Sequence, residues 1–199
     1  MESERDKEME QRFYDVVEAN PVIAAVKDME GLEKSCDMEE IHVIFVLFGS
    51  VCNISEITQR IKAAGKMALV HIDLIAGLSS REVAVDFIQK STCADGIITT
   101  KPALVQRAKE LSLCTVLRFF VIDSIALKNI ENLERQHSGK PDFIEVLPGV
   151  MPKIIKRICG FSRIPVIAGG LISDKEDVIG ALEAGAIAVS STNQDTWVM

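Results

Sequence analysis

Hydrophobic positions along this chain gather into short, nearly unbroken runs, separated by longer amphipathic stretches. The runs cover residues 22–26, 42–48, 67–72, 95–99, 115–122, 142–147, 165–168 and 186–190. Runs that stay apolar at successive positions suit strands covered on both faces, as parallel strands are. The intervening stretches carry helix signals. Asn53 with Glu56, Ser79 with Glu82, and Ser173 with Glu176 each set a capping residue three places before an acidic partner. Pro102 fits a first helical position, and Gly65 and Gly185 fit helix ends where a left-handed residue is wanted. Met9, Phe13, Val16 and Val17 lie near helical spacing within Glu4–Ala19. That segment is expected to be an extra helix that plugs the amino end of the sheet or packs on its side.

Strands and helices that alternate strictly imply right-handed parallel crossovers. Eight such units predict an α/β fold of the TIM (β/α)8 barrel type, with a short helix over 194–199 at the carboxyl terminus. An open, doubly wound sheet is the rival, and it seldom needs eight strands in 199 residues. No linker or low-complexity tract divides the chain, so residues 1–199 read as one domain.

Composition changes this picture little. Hydrophobic residues make up 48% and charged residues 26%, a globular balance. No apolar run is long enough to cross a bilayer, and the first residues lack the order of a secretion signal, so a cytoplasmic address without membrane contact is expected. The five cysteines are odd in number and widely spaced, and most sit inside or beside apolar segments, which points to buried, reduced thiols. The three histidines have no further His or Cys at ligand spacing, so no metal site and no cofactor are expected; His137 is expected to face solvent. The net charge of −7 disfavours broad adhesion to nucleic acid, though it leaves room for a local basic patch.

In a barrel the chemistry belongs at the carboxyl ends of the strands. There the chain places Gly169-Gly170 after the seventh run and Ser190-Ser191-Thr192 after the eighth. Glycines let the main chain approach an anion, and amides at a helix start point at it. These five residues are the expected phosphate site, as against two ordinary turns. Thr192 with Asp195 fits a capping box for the last helix, and Trp197 is expected to anchor that helix to the body. Period-two alternation lets Lys27, Asp73 and Glu145 converge over the barrel mouth, the lysine between two carboxylates. They could recognise a polyol, or they could be a closed ion-pair network. Lys153, Lys156 and Arg157 share one helix face with i,i+3 and i,i+4 spacing. A solvated outer face and a nucleic-acid contact both fit them. A glycine-rich P-loop and a G-x-S-x-G elbow are absent from the sequence, which leaves NTPase and hydrolase readings unsupported.

Several strand-end phrases resemble one family, the glycerol uptake operon antiterminator regulatory proteins. They are Asn20-Pro-Val-Ile-Ala-Ala-Val-Lys-Asp28, His71-Ile-Asp-Leu-Ile-Ala-Gly-Leu78, Gly96-Ile-Ile-Thr-Thr-Lys101, Phe143-Ile-Glu-Val-Leu-Pro-Gly-Val-Met-Pro152 and Val166-Ile-Ala-Gly-Gly-Leu171. The resemblance implies a TIM barrel that senses sn-glycerol 3-phosphate and acts on the leader mRNA of glycerol genes to prevent premature termination. It implies phosphate binding at Gly169, Gly170, Ser190, Ser191 and Thr192, and glycerol recognition at Lys27, Asp73 and Glu145. A homo-oligomer is compatible with it. The competing class is an enzyme on a sugar or polyol phosphate (an isomerase, aldolase or lyase), with Glu145 or Asp73 as base and Lys27 as electrophile. A bare scaffold with a vestigial phosphate site is the third.

Overall fold

In the computed structural model, which describes residues 4–136 and 139–198 with side chains from residue 11 onward, eight parallel strands close into a barrel in sequence order. The strands are β1 (Val22–Val26), β2 (Val43–Val46), β3 (Met67–His71), β4 (Gly96–Thr99), β5 (Cys114–Phe120), β6 (Phe143–Leu147), β7 (Val166–Gly169) and β8 (Ala188–Ser191). All eight lie where the apolar runs predict them, with ends shifted by two residues or fewer. The helices are α1 (Glu4–Ala19), α2 (Met29–Asp37), α3 (Ile54–Ala63), α4 (Glu82–Ser91), α5 (Pro102–Glu110), α6 (Ser124–Arg135), α7 (Pro152–Phe161) and α8 (Lys175–Glu183). A 3-10 helix at Gln194–Val198 stands where an eighth crossover helix would follow β8.

Two apolar bodies hold this together. The larger lies between the outer faces of the strands and the helices. The smaller fills the barrel and includes Phe13 and Val17 of α1, packed with Phe45, Leu69, Val116 and Phe143. The Phe13 and Phe143 rings sit 4.3 Å apart, so α1 is a plug in the amino end. Met9 and His137 lie outside the described side chains.

The helix starts depart from the predicted capping boxes. Asn53 occupies the cap position of α3, but its Oδ1 turns back to accept from the Ser50 N–H at 2.7 Å. Helix α4 begins after Arg81 with no side-chain cap, which leaves Ser79 outside it. Asp174 caps α8 by accepting from the Asp177 N–H, while the Asp177 carboxylate accepts from Ser173. Asn193, not Thr192, accepts from the Asp195 N–H ahead of the last helix. In the last two cases a carboxylate or amide one residue further on accepts from the orphan amides in place of the predicted residue. Pro102 does open α5, and Gly65 and Gly185 have φ of +76° and +105°.

Following strand register around the ring sorts inward side chains into layers of four from alternate strands. Ile23, Leu69, Val116 and Ile167 make an apolar layer in mid-barrel. Above it come Phe45, Ile98, Glu145 and Ser190 from the even strands. Above those come Ala25, His71, Arg118 and Gly169 from the odd strands. Polar chemistry thus enters the barrel only in its upper layers.

Candidate functional site at the barrel mouth

The upper layers are uneven, because Arg118 and His71 are large whereas Ala25 and Gly169 have almost no side chain. The vacant side is a cavity of about 360 Å³, walled by Leu47 and Leu147 and by loops 170–173 and 190–193, with Glu145 and Arg118 at its base. That volume lies near the lower end of small-molecule pockets and suits a compact ligand.

Glu145 is fully buried, and both its oxygens are used: Oε2 accepts from Arg118 Nε at 2.5 Å and Oε1 from the Ser190 hydroxyl at 2.6 Å. Arg118 and Glu145 are register partners on adjacent strands, so the backbone itself aims them at each other. Gly169 is the residue that makes space for this. A Cβ there would lie 2.5 Å from both Glu145 Oε1 and Ser190 Oγ. Its smallness therefore serves the carboxylate below it. Gly170 is glycine for a different reason: with φ +75° it turns the chain out of β7, and Leu171 follows at φ +62°. The turn leaves Leu171 three-quarters exposed at the cavity lip.

The loop after β8 is tied down from beneath. Ser191 donates to the Ile172 carbonyl and accepts from the Asn193 N–H. Trp197 is buried and donates from Nε1 to the Ser191 carbonyl at 2.9 Å, the anchoring role expected of it. Gly170, Ser190, Ser191 and Thr192 therefore line one cavity, with Gly169 just before it at the end of β7.

Lys27, Asp73 and Glu145 are not brought together as the alternation suggested. Asp73 lies in a 3-10 turn beyond β3, so strand periodicity no longer sets its direction. Its carboxylate accepts from Lys101 Nζ at 2.7 Å, the Thr100 N–H at 2.8 Å and the Thr99 hydroxyl at 3.0 Å. Burial pushes the Asp73 carboxyl up, but the Lys101 ammonium and these donors outweigh it and hold it below the usual range. Lys27 is exposed and forms no ion pair among the described residues. The cations that balance the two carboxylates are Lys101 and Arg118. Lys153, Lys156 and Arg157 are all exposed on α7, and none joins an ion pair among the described residues.

Arg118 and His71 are the residues that sequence reasoning left out of the site. Arg118 sits inside an apolar run, yet Cys114, Val116 and Arg118 share the inward face of β5, and a charge at that position was the available signal. His71 is 3% exposed, and its Nδ1 has no hydrogen-bond partner among the described residues. Burial, reinforced by the positive charge of Arg118, pulls its pKa from 6.5 to about 4. A neutral imidazole with an idle ring nitrogen therefore stands in the same layer as Arg118. Among the described residues no group of three or more His, Cys, Asp or Glu could hold a metal ion, and no helix is long and apolar enough to cross a membrane.

Residues 22–197 match the family model described as glycerol-3-phosphate responsive antiterminator. The Escherichia coli (strain K12) protein YgcP is 44% identical over 180 residues, covering 90% of this chain and 93% of its own. The crystal structure of a glycerol uptake operon antiterminator regulatory protein from Listeria monocytogenes superposes with a TM-score of 0.84. It shares 33% identity over 90% of this chain and 95% of that one. A glycerol uptake operon antiterminator-related protein from Thermotoga maritima superposes with a TM-score of 0.77, at 34% identity over 89% and 98% of the two chains.

Proposed function

Because the chain belongs to the glycerol-3-phosphate responsive antiterminator family, we propose that it is a cytoplasmic regulator that binds sn-glycerol 3-phosphate in the cavity at its barrel mouth and reports occupancy to the leader mRNA of glycerol-uptake genes. The observation that carries this reading is the cavity between the loops that follow β7 and β8, with a buried carboxylate at its base. The phosphate lies against the main chain of Gly169–Gly170 and Ser191–Thr192, with Ser190 below, and the glycerol end points towards Glu145. Asp73, with Lys101, shapes the neighbouring wall, and Lys27 supplies positive charge at the rim. The exposed face of α7, with Lys153, Lys156 and Arg157, is the surface offered to RNA phosphates.

An enzyme acting on the same ligand is the competing reading, and the buried ionisable groups at the mouth are what favour it. The character of those groups favours regulation instead. A guanidinium such as that of Arg118 is suited to be neither base nor Schiff-base former, and both Glu145 oxygens are already engaged.

The test is ligand-dependent thermal stabilisation, then an assay for turnover. Glycerol 3-phosphate at a hundredfold over its Kd should add about 2.7 kcal/mol to stability. Gly170→Asp sets a carboxylate at the phosphate position and should abolish that gain. Stabilisation of the variant equal to that of the parent would remove the site from these loops; consumption of the ligand would make the protein an enzyme.

A further inference from the structure

The hydroxyl protons at the base of the cavity are already committed. Ser190 donates its proton to Glu145, and Ser191 donates its own to the Ile172 carbonyl. Neither side chain has a proton left for an anion in the cavity. Arg118 spends only Nε on Glu145, and its terminal nitrogens have no partner among the described residues although the side chain borders the cavity. His71 does not itself wall the cavity but stands between Ala25 and Arg118 in its layer, both of which do, and its Nδ1 has no partner among the described residues. A buried polar atom without a partner calls for an explanation.

We infer that Arg118, Glu145 and His71 are the specificity element of this cavity, admitting a phosphomonoester whose tail carries neutral hydroxyl groups and rejecting one whose tail ends in a carboxylate. This rests on the reading that the phosphate sits against the loops after β7 and β8, and adds what the other end of the ligand must be.

The argument is one of charge and of donors against acceptors. Arg118 brings one positive charge and Glu145 one negative charge, and the neutral imidazole adds none. A hydroxyl both donates and accepts, so it fits a set that offers guanidinium donors, a carboxylate acceptor and an imidazole with one of each. A second carboxylate finds its counter-charge already used. It would sit buried near Glu145 and the ligand's own phosphate, with nothing to balance it. Glu145 is held towards Arg118 by a second hydrogen bond, from the Ser190 hydroxyl. A tail with no hydroxyl leaves Arg118 and His71 unpaired, which a hydrogen-bonding site penalises.

The experiment is calorimetric titration of the whole chain at pH 7.5 with three probes: glycerol 3-phosphate, n-propyl phosphate and 3-phosphoglycerate. Glycerol 3-phosphate is expected to bind at least about tenfold more tightly than either of the others. Affinities for all three within about threefold of one another would overturn the specificity element while leaving the phosphate site standing. Binding by none of them overturns the phosphate site, and the inference with it. Arg118→Lys keeps the charge and loses the planar fork, and His71→Phe keeps the bulk and loses the ring nitrogens. Each is expected to cut glycerol 3-phosphate affinity towards that of n-propyl phosphate, whose own affinity stays the same. An unchanged preference for glycerol 3-phosphate in both variants also overturns the assignment, and where a variant fails to fold the three-probe comparison on the parent chain decides.

Discussion

The two ends of the barrel handle buried charge in opposite ways. At the amino end one buried and one largely buried aspartate are closed off by the fold. Asp95 pairs with Lys62 at 2.7 Å and accepts from the Ala68 N–H at the start of β3. Asp142 does the same with Lys109 at 2.6 Å and the Thr115 N–H at the start of β5. The device is one and the same, an aspartate just before an even strand that ties the preceding strand to the helix leading into that preceding strand. Its sequence spacings repeat as well, 33 residues to the lysine and 27 to the amide in both cases. Below the aspartates α1 adds an apolar stopper. At the carboxyl end the polar groups are buried as deeply but not closed off. Among the described residues Arg118 has donors without a partner beside a cavity, and His71 has a ring nitrogen without one. Polar groups that are fully satisfied hold a fold together, whereas groups left partly unsatisfied beside a void are poised for a ligand.

The largest effect that should separate the two ends comes from the stopper. Phe13→Ala removes a fully buried ring stacked on Phe143 and is expected to cost about 3–5 kcal/mol. Denaturant unfolding measures that loss, and glycerol 3-phosphate titration of the folded fraction should show the parent's affinity. A fall in ligand affinity as large as the fall in stability would mean that the ends are not independent.

Acid titration of stability should show the opposite dependence. His71 has its folded pKa depressed to about 4 from 6.5, so between those values the unfolded chain takes up a proton that the folded chain refuses. Stability therefore falls as pH drops through that window, by roughly 3 kcal/mol in all at 1.36 kcal/mol per unit. Asp73 and Glu134, whose carboxyls are held below their usual range, add their losses only at the acid edge. His71→Phe should flatten the curve between pH 6.5 and 4 and leave the steeper fall below it. A curve that the substitution does not change would place the titration elsewhere.

How much of this was legible in the sequence follows from the same contrast. The strands could be read because continuous apolarity reports burial on both faces, and that property is local. That the loops carrying Gly170 and Ser190-Ser191-Thr192 meet at one cavity could be read because loop chemistry next to a strand end is also local. The partners of Glu145 and Asp73 could not. Alternation along one strand says which way a side chain points, but which cation it meets depends on register between strands, and register is set by the whole ring. Arg118 reaches Glu145 because β5 and β6 pair at that step; Lys101 reaches Asp73 because β3 ends in a 3-10 turn. The capping boxes at α8 and at the last helix failed for a smaller reason, since a one-residue shift hands the role to the next acid or amide.

Gly169→Ala tests the packing that links cavity and ion pair, with a smaller expected effect. The added methyl group meets Glu145 and Ser190 at 2.5 Å, so the carboxylate must move. Overpacking of this kind costs about 1–3 kcal/mol. Affinity for glycerol 3-phosphate should fall with it, while n-propyl phosphate, which does not use the carboxylate, should lose less. Equal losses for the two would show that the methyl group merely blocks the cavity.

The smallest effect on stability, and the one that carries the regulatory reading, belongs to α7. Lys153, Lys156 and Arg157 are exposed and hold no ion pair among the described residues, so reversing Lys153 and Lys156 to glutamate should change stability by no more than about 0.5 kcal/mol. Lys153 stands in the first turn of α7, where a positive charge opposes the helix dipole, so its replacement by glutamate is if anything favourable to the helix. A stability cost at a purely structural face would therefore have to come from packing, and these side chains offer little. If leader mRNA lies on that face, the double variant should lose RNA affinity and show a shallower dependence of binding on salt, because fewer counterions are released. Glycerol 3-phosphate affinity, set at the mouth, should stay at the parent value. RNA binding that keeps the parent's affinity and salt slope would move the RNA surface off α7, and a parent chain that binds no leader RNA even with the ligand present would defeat the regulatory reading.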